Sequence, residues 1–474
     1  MPASCRFAAG ILALMLMDPF LVPTRAENRG FVRRDGTHFV LNGRRIYVAG
    51  TNSYYQMIHR RTGHAGADEV LDEMQARSLT VLRTWAFQDQ VEKAGCLQCA
   101  PARRLGPNER PVDFIDPATL VALDQTLAEA DLRAIRVVLT LVNNWEDYGG
   151  MNRYTLWRFG AVNHDAFYSD ATIRTWFKEL AALLVNRVNT VNGRTYRDDP
   201  TIFAWQLTNE ARCSSAASAT LNAWMGEMSA YIKSLDPNHM VSTGIEGFYG
   251  QGHADRNTDS WMSVYGQDFI DNHQHATIDY ATCHIWPQNW GWDPIGSTSA
   301  AMTKAERYLQ QRMDDARDVL GKPLMMDEFG IPRDNFGTGT SGGPTTVREQ
   351  FFRDLYYQTC AGSAAGGGAF AGTALWMILD DPTASWDDGN GVFLPQDAAL
   401  DAIITSHAQY LAGLADPDLN YDGNVDSEDV NIFRACLTGP ASGPPVGDCD
   451  GADLDHDGDV DQSDFGGLQA SLGS

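Results

Sequence analysis

The residues best placed to do chemistry together are two glutamates, far apart in the chain, each closing an apolar run. Ile202-Phe-Ala-Trp-Gln-Leu-Thr-Asn-Glu210 begins hydrophobic after Asp199-Pro200 and ends in an amide beside a carboxylate. Lys322-Pro-Leu-Met-Met-Asp-Glu-Phe-Gly330 repeats the design, running apolar into Glu328 and stopping at Gly330. Runs this short suit buried parallel strands rather than helices. Retaining glycoside hydrolysis needs one carboxyl to protonate the leaving oxygen and a second to attack the anomeric carbon, roughly 5 Å away. Asn209 is placed to bond a sugar hydroxyl. A single such end could equally be a strand terminus with two solvated polar residues; two of one design raise the chemical reading above that. Chain order leaves the distance open.

The elements that must hold these residues alternate regularly. Leu41-Asn42-Gly43 between apolar stretches predicts a hairpin, whose second arm, Ile46 to Asn52, runs on as a first barrel strand. Further strands are predicted at 79–84, 134–142, 202–206, 240–244, 279–284, 323–327 and 373–378. Helices are predicted at 67–76, 117–130 (with Asp116 as N-cap), 170–191, 216–234, 298–318, 345–361 and 398–412. This alternation implies an α/β fold, a (β/α)8 TIM barrel, with the chemistry at the C-terminal rim of its strands. Long connections rich in Trp, Asn, Asp and Gly fall on that rim: Asn143 to Tyr148, Trp286 to Trp292, Asp380 to Pro382 and Trp386 to Gly391. Aromatic faces stack on sugar rings, so these loops are expected to wall a cleft, although some of their tryptophans could simply pin loops to the barrel.

The net charge of −25 argues against nucleic acid or anionic membrane as a partner. It is uneven: residues 416–474 hold fourteen acids and a single Arg, a net of −13. The N-terminus, with Arg6 before an apolar core from Phe7 to Met17 and Thr24-Arg25-Ala26 as cleavage site, is expected to be a signal peptide over 1–26. That makes the mature protein secreted, with no membrane span after its removal. Export permits disulfides. Cys436 and Cys449 are the first candidate pair; Cys96 and Cys99 form a local disulfide or two free thiols; Cys283 is expected to be a buried thiol.

Within the acidic tail two twelve-residue stretches, starting at Asp418 and Asp453, repeat at a spacing of 35. Oxygen-bearing side chains fall at positions 1, 3, 5, 7, 9 and 12: Asp418, Asn420, Asp422, Asn424, Asp426 and Asp429, then Asp453, Asp455, Asp457, Asp459, Asp461 and Asp464. Gly423 and Gly458 occupy position 6, where an EF-hand-type loop turns sharply, so Ca2+ binding is expected in a small all-α domain over 414–474. Position 12 is Asp rather than the usual Glu.

From about residue 30 to 412 the chain resembles glycoside hydrolase family 5. Arg83 in Leu82-Arg-Thr-Trp-Ala-Phe87, Asn209-Glu210, His284, Glu328 in Asp327-Glu-Phe-Gly330 and Trp376 carry the resemblance; Arg-Thr-Trp-Ala-Phe and Ala49-Gly-Thr-Asn52 look most like its β-mannanase branch. The resemblance implies a catalytic domain over 27–413, with Glu210 as acid/base and a raised pKa, and Glu328 as an ionised nucleophile oriented by Arg83. Asn209 would bond the 2-hydroxyl, and His284 a hydroxyl or Glu210. Trp376 would be the floor under the reacting sugar and Trp85 a wall nearby, or part of the core. Where the family often has a Tyr two residues past this His, the chain has Trp286, which leaves exact substrate and endo or exo action open. The implied activity is a retaining endo-β-1,4-mannanase, the alternatives being an exo-acting β-mannosidase or mannobiohydrolase, or a cellulase. A glycan-binding protein on an inactive barrel is disfavoured because both carboxylates, Asn209 and Arg83 are present. The tail resembles a type I dockerin, whose implied partner is a cohesin-bearing scaffold. The recognition positions, Ser427-Glu428 and Gln462-Ser463, differ between repeats, and the insertion between Cys436 and Cys449 is atypical. No cofactor is expected for catalysis.

Overall fold

The structure, a computed structural model, describes residues 30–64, 66–214, 218–292, 298–333, 345–365, 368–380 and 387–412 and, in the tail, 419, 425–439, 449, 452 and 460–471. The signal segment lies outside them. So do Asp418, Asn420, Asp422, Asn424, Asp453, Asp455, Asp457 and Asp459 of the calcium motifs.

The chain enters through three short strands, β1 (Arg33–Asp35), β2 (His38–Leu41) and β3 (Arg44–Ile46), in one antiparallel sheet. Asn42 and Gly43 turn β2 into β3 with φ of 53° and 86°, the paired positive φ of a tight hairpin turn. The predicted second arm does not run straight into the barrel. It breaks at Tyr47, and β4 (Val48–Asn52) starts anew. Phe39 of β2 packs edge-on against Phe203 and Tyr280, at 5.1 Å and 5.3 Å, so the entry sheet closes the N-terminal mouth of the barrel.

The barrel strands are β4, β5 (Val81–Trp85), β6 (Arg136–Thr140), β7 (Ile202–Gln206), β8 (Met240–Ser242), β9 (Ala281–Ile285), β10 (Leu324–Phe329) and β11 (Phe370–Leu375). All pair in parallel, in the order β8-β7-β6-β5-β4-β11-β10-β9. A single parallel bridge, Ser242 to Tyr280, joins the two ends into a nearly closed barrel. Every residue of these strands is buried, because helices cover the outside and side chains fill the inside.

Most predicted elements fall in place, with informative offsets. Strand eight starts three residues earlier than expected and ends at Leu375, so Trp376 stands just beyond it. The helix expected over 170–191 is Ala171–Val185, with Asp170 as its N-cap accepting from the N–H groups of Thr172 and Ile173. It stops at Asn186, after which Asn189 caps a turn by accepting from Val191 and Asn192. The predicted cap at Asp116 is present and accepts from Ala118. Helices over Gly150–Phe159 and Phe269–His273 inside rim connections escaped the sequence reading. Cys96–Cys99 and Cys436–Cys449 are disulfides, and Cys283 is a buried free thiol. In the tail, helices over Ser427–Cys436 and Gln462–Ser471 pack through Phe433, Val460 and Leu468 into a core of their own. Among the described residues no helix is long and apolar enough to cross a membrane.

Candidate active site

The site is built from strand ends. Arg83 is the third residue of β5 and is 1% exposed. Its Nε donates to Gln206 Oε1 at 2.8 Å, and one terminal nitrogen donates to Asn52 Oδ1 at 2.9 Å and Glu328 Oε2 at 2.8 Å. The other donates to Asn209 Oδ1 at 2.7 Å. A planar fork of fixed donors can hold four acceptors at once, and a lysine cannot. Arg83 thus fixes the carboxylate of Glu328 and the amide of Asn209 in one frame. The amide's nitrogen donates on to Asn143 Oδ1 at 3.0 Å.

Glu210 follows β7. Its N–H donates to Gly244 O and that of Asn209 to Val142 O, both at 2.7 Å. Held from both sides, Glu210 adopts φ of 54°, a left-handed conformation that costs a non-glycine residue about 1–3 kcal/mol. Such strain persists only where the surroundings enforce it. Its carboxylate Oε1 meets His284 Nδ1 at 2.8 Å, and Oε2 accepts from Trp145 Nε1 at 2.6 Å.

Glu328 lies opposite His284 in the pairing of β10 with β9. The register slips between Met326 and Glu328, so Asp327 and Glu328 together face one residue of β9, which is a β-bulge. The bulge lets two consecutive carboxylates reach one ring: Glu328 Oε1 is 3.6 Å from His284 Nδ1, and Asp327 Oδ1 is 3.2 Å from Nε2. Trp286 Nε1 donates to Glu328 Oε1 at 2.9 Å. An oxygen of Glu210 and one of Glu328 lie within 4.8 Å of each other. That suits direct attack on a sugar held between them; inserting a water calls for about 6.5–9.5 Å.

The electrostatics depart from the expected arrangement at both glutamates. Burial opposes a charge on His284, but Glu328, Asp327 and Glu210 surround it and push its pKa up to about 10. Glu210 was expected to have a raised pKa. Burial acts in that direction, but the hydrogen bond and charge of His284, with Arg212, bring it below the ordinary carboxylate range. Glu328 is driven upward by burial and by Glu210 and Asp327, against the pull of His284 and Arg83. In the empty site the first proton therefore rests on the imidazole.

The other sequence-predicted residues sort clearly. Trp376 stacks on Tyr54 at 5.3 Å and 16° and donates to Asp388 Oδ2 at 3.2 Å. Trp286 meets it edge-on. Both line a cavity of about 450 Å³ together with Asn209, Glu210 and Glu328. Trp85 also lines it, although it is 5% exposed and wedged among Tyr54, Phe87 and Tyr148; wall and core roles coincide. His284 is fully buried, so of its two expected roles it fills the one of orienting Glu210. The sequence reading missed Asn52, Gln206 and Asp327, whose only signal is a polar residue inside an otherwise apolar strand. It placed Trp145 in a cleft-wall loop without connecting it to Glu210. Arg212 was missed too: it lies over the rings of Trp145 and Tyr265 at 5.0 Å and 4.2 Å and is tied to buried Glu246. Of the calcium positions, the described ones are Asp426, Asp429, Asp461 and Asp464, at the starts of the two tail helices.

Comparison with known proteins bears on this geometry. Residues 29–380 match the family described as GH family 5 beta-mannosidase-like. The chain is 34% identical over 398 residues to mannan endo-1,4-beta-mannosidase 5 of Arabidopsis thaliana, covering 81% of this chain and 87% of that protein. It is 36% identical over 395 residues to putative mannan endo-1,4-beta-mannosidase 5 of Oryza sativa subsp. japonica, covering 81% and 77%. The crystal structure of an endo-1,4-beta-mannanase from Rhizomucor miehei superimposes with a TM-score of 0.65 at 28% identity, covering 81% of this chain and 99% of that one. A hyperthermostable endo-1,4-beta-D-mannanase from Thermotoga petrophila gives 0.62 at 29% identity, covering 77% and 99%.

Proposed function

The chain belongs to the glycoside hydrolase family 5 β-mannosidase-like family, and on that premise we propose that it hydrolyses mannan by double displacement, with Glu210 as acid/base and Glu328 as nucleophile. Its activity is that of a mannan endo-1,4-β-mannosidase. The observation that carries the mechanism is the separation of the two carboxylates, within 4.8 Å.

In the first step a Glu328 oxygen forms a bond to the anomeric carbon as the glycosidic bond breaks, and the bonding pair leaves on the departing oxygen. That oxygen takes a proton from Glu210. His284 Nδ1, at 2.8 Å from Glu210 Oε1, holds the proton in the empty site and passes it to Glu210 as the sugar displaces solvent. In the second step Glu210, now a carboxylate, removes a proton from water, whose oxygen attacks the anomeric carbon and releases Glu328. Esterification of Glu328 removes one negative charge from beside Glu210 and so favours its ionised, basic form. Asn209, held by Arg83 and Asn143, keeps one amide hydrogen for a 2-hydroxyl. Trp376 and Trp286 present a floor and an edge for the reacting sugar.

The tail we assign as a calcium-binding, dockerin-like module. Asp429 and Asp464 close their loops with carboxylates that are 0% and 1% exposed. Buried anions of this kind need compensating charge, and an all-oxygen donor set suits calcium. Asp426, Asp429, Asp461 and Asp464, with the four remaining ligand positions of each motif, would hold one ion per loop and thereby fix the two helices. A cohesin-bearing scaffold is the partner class this module fits, and the signal segment over 1–26 directs the chain out of the cell.

The test of the activity is product analysis on mannan, glucomannan and cellulose side by side, with Glu328→Ala as the inactive control. Short manno-oligosaccharides from wild type and none from the variant are expected. Equal release by both would overturn the catalytic assignment, and monosaccharide alone would overturn the endo mode.

A further inference from the structure

A second cluster of ligand-type side chains stands outside the catalytic cavity, where the connection after β4 meets the segment after β11. His59 lies on helix α1 (Gln56–Thr62), His64 follows the left-handed Gly63 that ends it, and Asp380 lies beyond β11. The N–H of His64 returns to the carbonyl of His59 at 2.8 Å, and the two imidazoles lie 4.2 Å apart, tilted by 33°. One potential ligand atom from each of His59, His64 and Asp380 falls within 4.8 Å of the other two.

Two independent observations point to a ligand there. The Asp380 side chain is 2% exposed, and its Oδ1 has no hydrogen-bond partner among the described residues, a costly state for a buried anionic oxygen. Second, helix α2 (Gly66–Ala76) begins with a glycine where a Cβ would lie 1.4 Å from Asp380 Oδ2. Only a residue without a side chain leaves room for this carboxylate 3.3 Å from His64 Nδ1, a nitrogen that also accepts the Gly66 N–H at 3.2 Å. Beside it, Glu69, Asp72 and Glu73 of α2 share with Asp380 the lining of a second cavity, although Asp72 and Glu73 pair with Arg133 and Arg77.

We propose that His59, His64 and Asp380 bind a divalent transition-metal ion of the zinc class. Two imidazoles, one carboxylate and an open fourth position form a donor set for such an ion; calcium would want six or more oxygens. Metal–ligand bonds of about 2.0–2.2 Å require the three side chains to draw inward when the ion binds. The consequence reaches the catalytic wall. Tyr55 lies over His59 at 4.2 Å and its hydroxyl donates to Ile378 O at 3.1 Å, while the adjacent Tyr54 stacks on Trp376. The ion would clamp the connection after β4 to the segment after β11, directly behind the floor of the sugar site. A plain ion pair between protonated His64 and Asp380 is the competing account, and it predicts no metal affinity.

The full chain, stripped with chelator and resupplied with saturating calcium so that the tail is occupied, is titrated with zinc chloride in a calorimeter. We expect one zinc per chain, with affinity reduced at least about tenfold in His64→Ala and in Asp380→Asn. His64 is 36% exposed, so its replacement leaves the fold intact, and melting curves without zinc verify this for both variants. Absence of stoichiometric binding to wild type, or undiminished binding by both variants, overturns the site. Loss in one variant alone overturns the three-ligand arrangement.

Discussion

Replacing Trp286 with Phe removes a single N–H from the nucleophile and leaves an aromatic ring in place. That N–H donates to Glu328 Oε1 at 2.9 Å, while Arg83 holds the other oxygen at 2.8 Å. A hydrogen bond to a charged acceptor contributes about 1.5–3 kcal/mol. At about 1.4 kcal/mol per unit, its loss raises a carboxyl pKa by about one to two units. The Arg83 contact persists, which favours the lower end. Burial and the Glu210 charge already hold Glu328 above the usual range, so the change adds to an existing upward shift. Glu328 must be ionised to attack, so the acid limb of kcat/KM moves to higher pH by about one unit, and the rate on that limb falls about tenfold. The plateau falls less, by whatever the smaller ring concedes in packing against Trp376 and the Gly330 backbone. Trp286→Tyr keeps a donor and should shift the limb by less. The assay is reducing-sugar release from a soluble galactomannan, measured across the acid limb for all three proteins. If the profiles run parallel, with an even loss at every pH, Trp286 acts through shape alone and the hydrogen-bond argument is wrong.

Four further outcomes follow. Trp145→Phe removes the N–H that stabilises the Glu210 carboxylate at 2.6 Å, so the alkaline limb of kcat, which reports the sugar-bound enzyme where Glu210 carries the proton, should move upward by about one unit; an unmoved limb means the contact is incidental. His284 is raised to about 10 in the folded protein. Its contribution to stability is therefore full below the unfolded value of about 6.5 and is lost as pH climbs toward the folded one; urea midpoints should decline over that window in wild type and much less in His284→Gln. Chelation of calcium should lower the melting temperature of the tail, and Asp429→Ala with Asp464→Ala should mimic it. Truncation at Ala415 should leave mannan hydrolysis unchanged and independent of added calcium, and an activity loss on truncation would instead make the tail a regulator.

The residues legible in the sequence were those whose polarity interrupts or ends a buried strand. Glu210, Glu328 and Arg83 stand out because nothing but a partner or a cleft explains a charge beside Leu, Met and Trp. Asn209 and His284 are legible for the same reason. Trp145 was only half visible: a tryptophan in a polar loop says cleft wall, but its aim at Glu210 depends on how the connection after β6 folds. Strand eight was misplaced by three residues because Thr373 to Ile378 is the more apolar window, whereas the strand is Phe370 to Leu375 with Gly372 inside it, and period alone cannot choose between overlapping windows. The helix after Asp170 stopped early because side-chain capping around Asn189 outcompetes propensity, an interaction that no window of hydrophobicity records. The proton on His284 was not legible at all, since it depends on three carboxylates brought together from β7 and β10.

That convergence depends on one irregularity. In a regular strand Asp327 and Glu328 point to opposite faces of the sheet, because side chains alternate. If β10 paired with β9 without its slip, only one of the two could meet His284, and the other would face the helical layer as an unpaired buried charge. The slip between Met326 and Glu328 turns both inward. Glu328 then takes Arg83 and Trp286, while Asp327 accepts from Gln206 Nε2 at 2.6 Å and lies against the far nitrogen of the imidazole. The ring is thereby flanked by carboxylates on both nitrogens, which keeps it protonated and leaves its Nδ1–H directed at Glu210. The distance between the two glutamates and the location of the proton that crosses it are thus set by the same extra residue in β10. Shortening that strand by one residue before Glu328 should abolish both, even with every catalytic side chain retained.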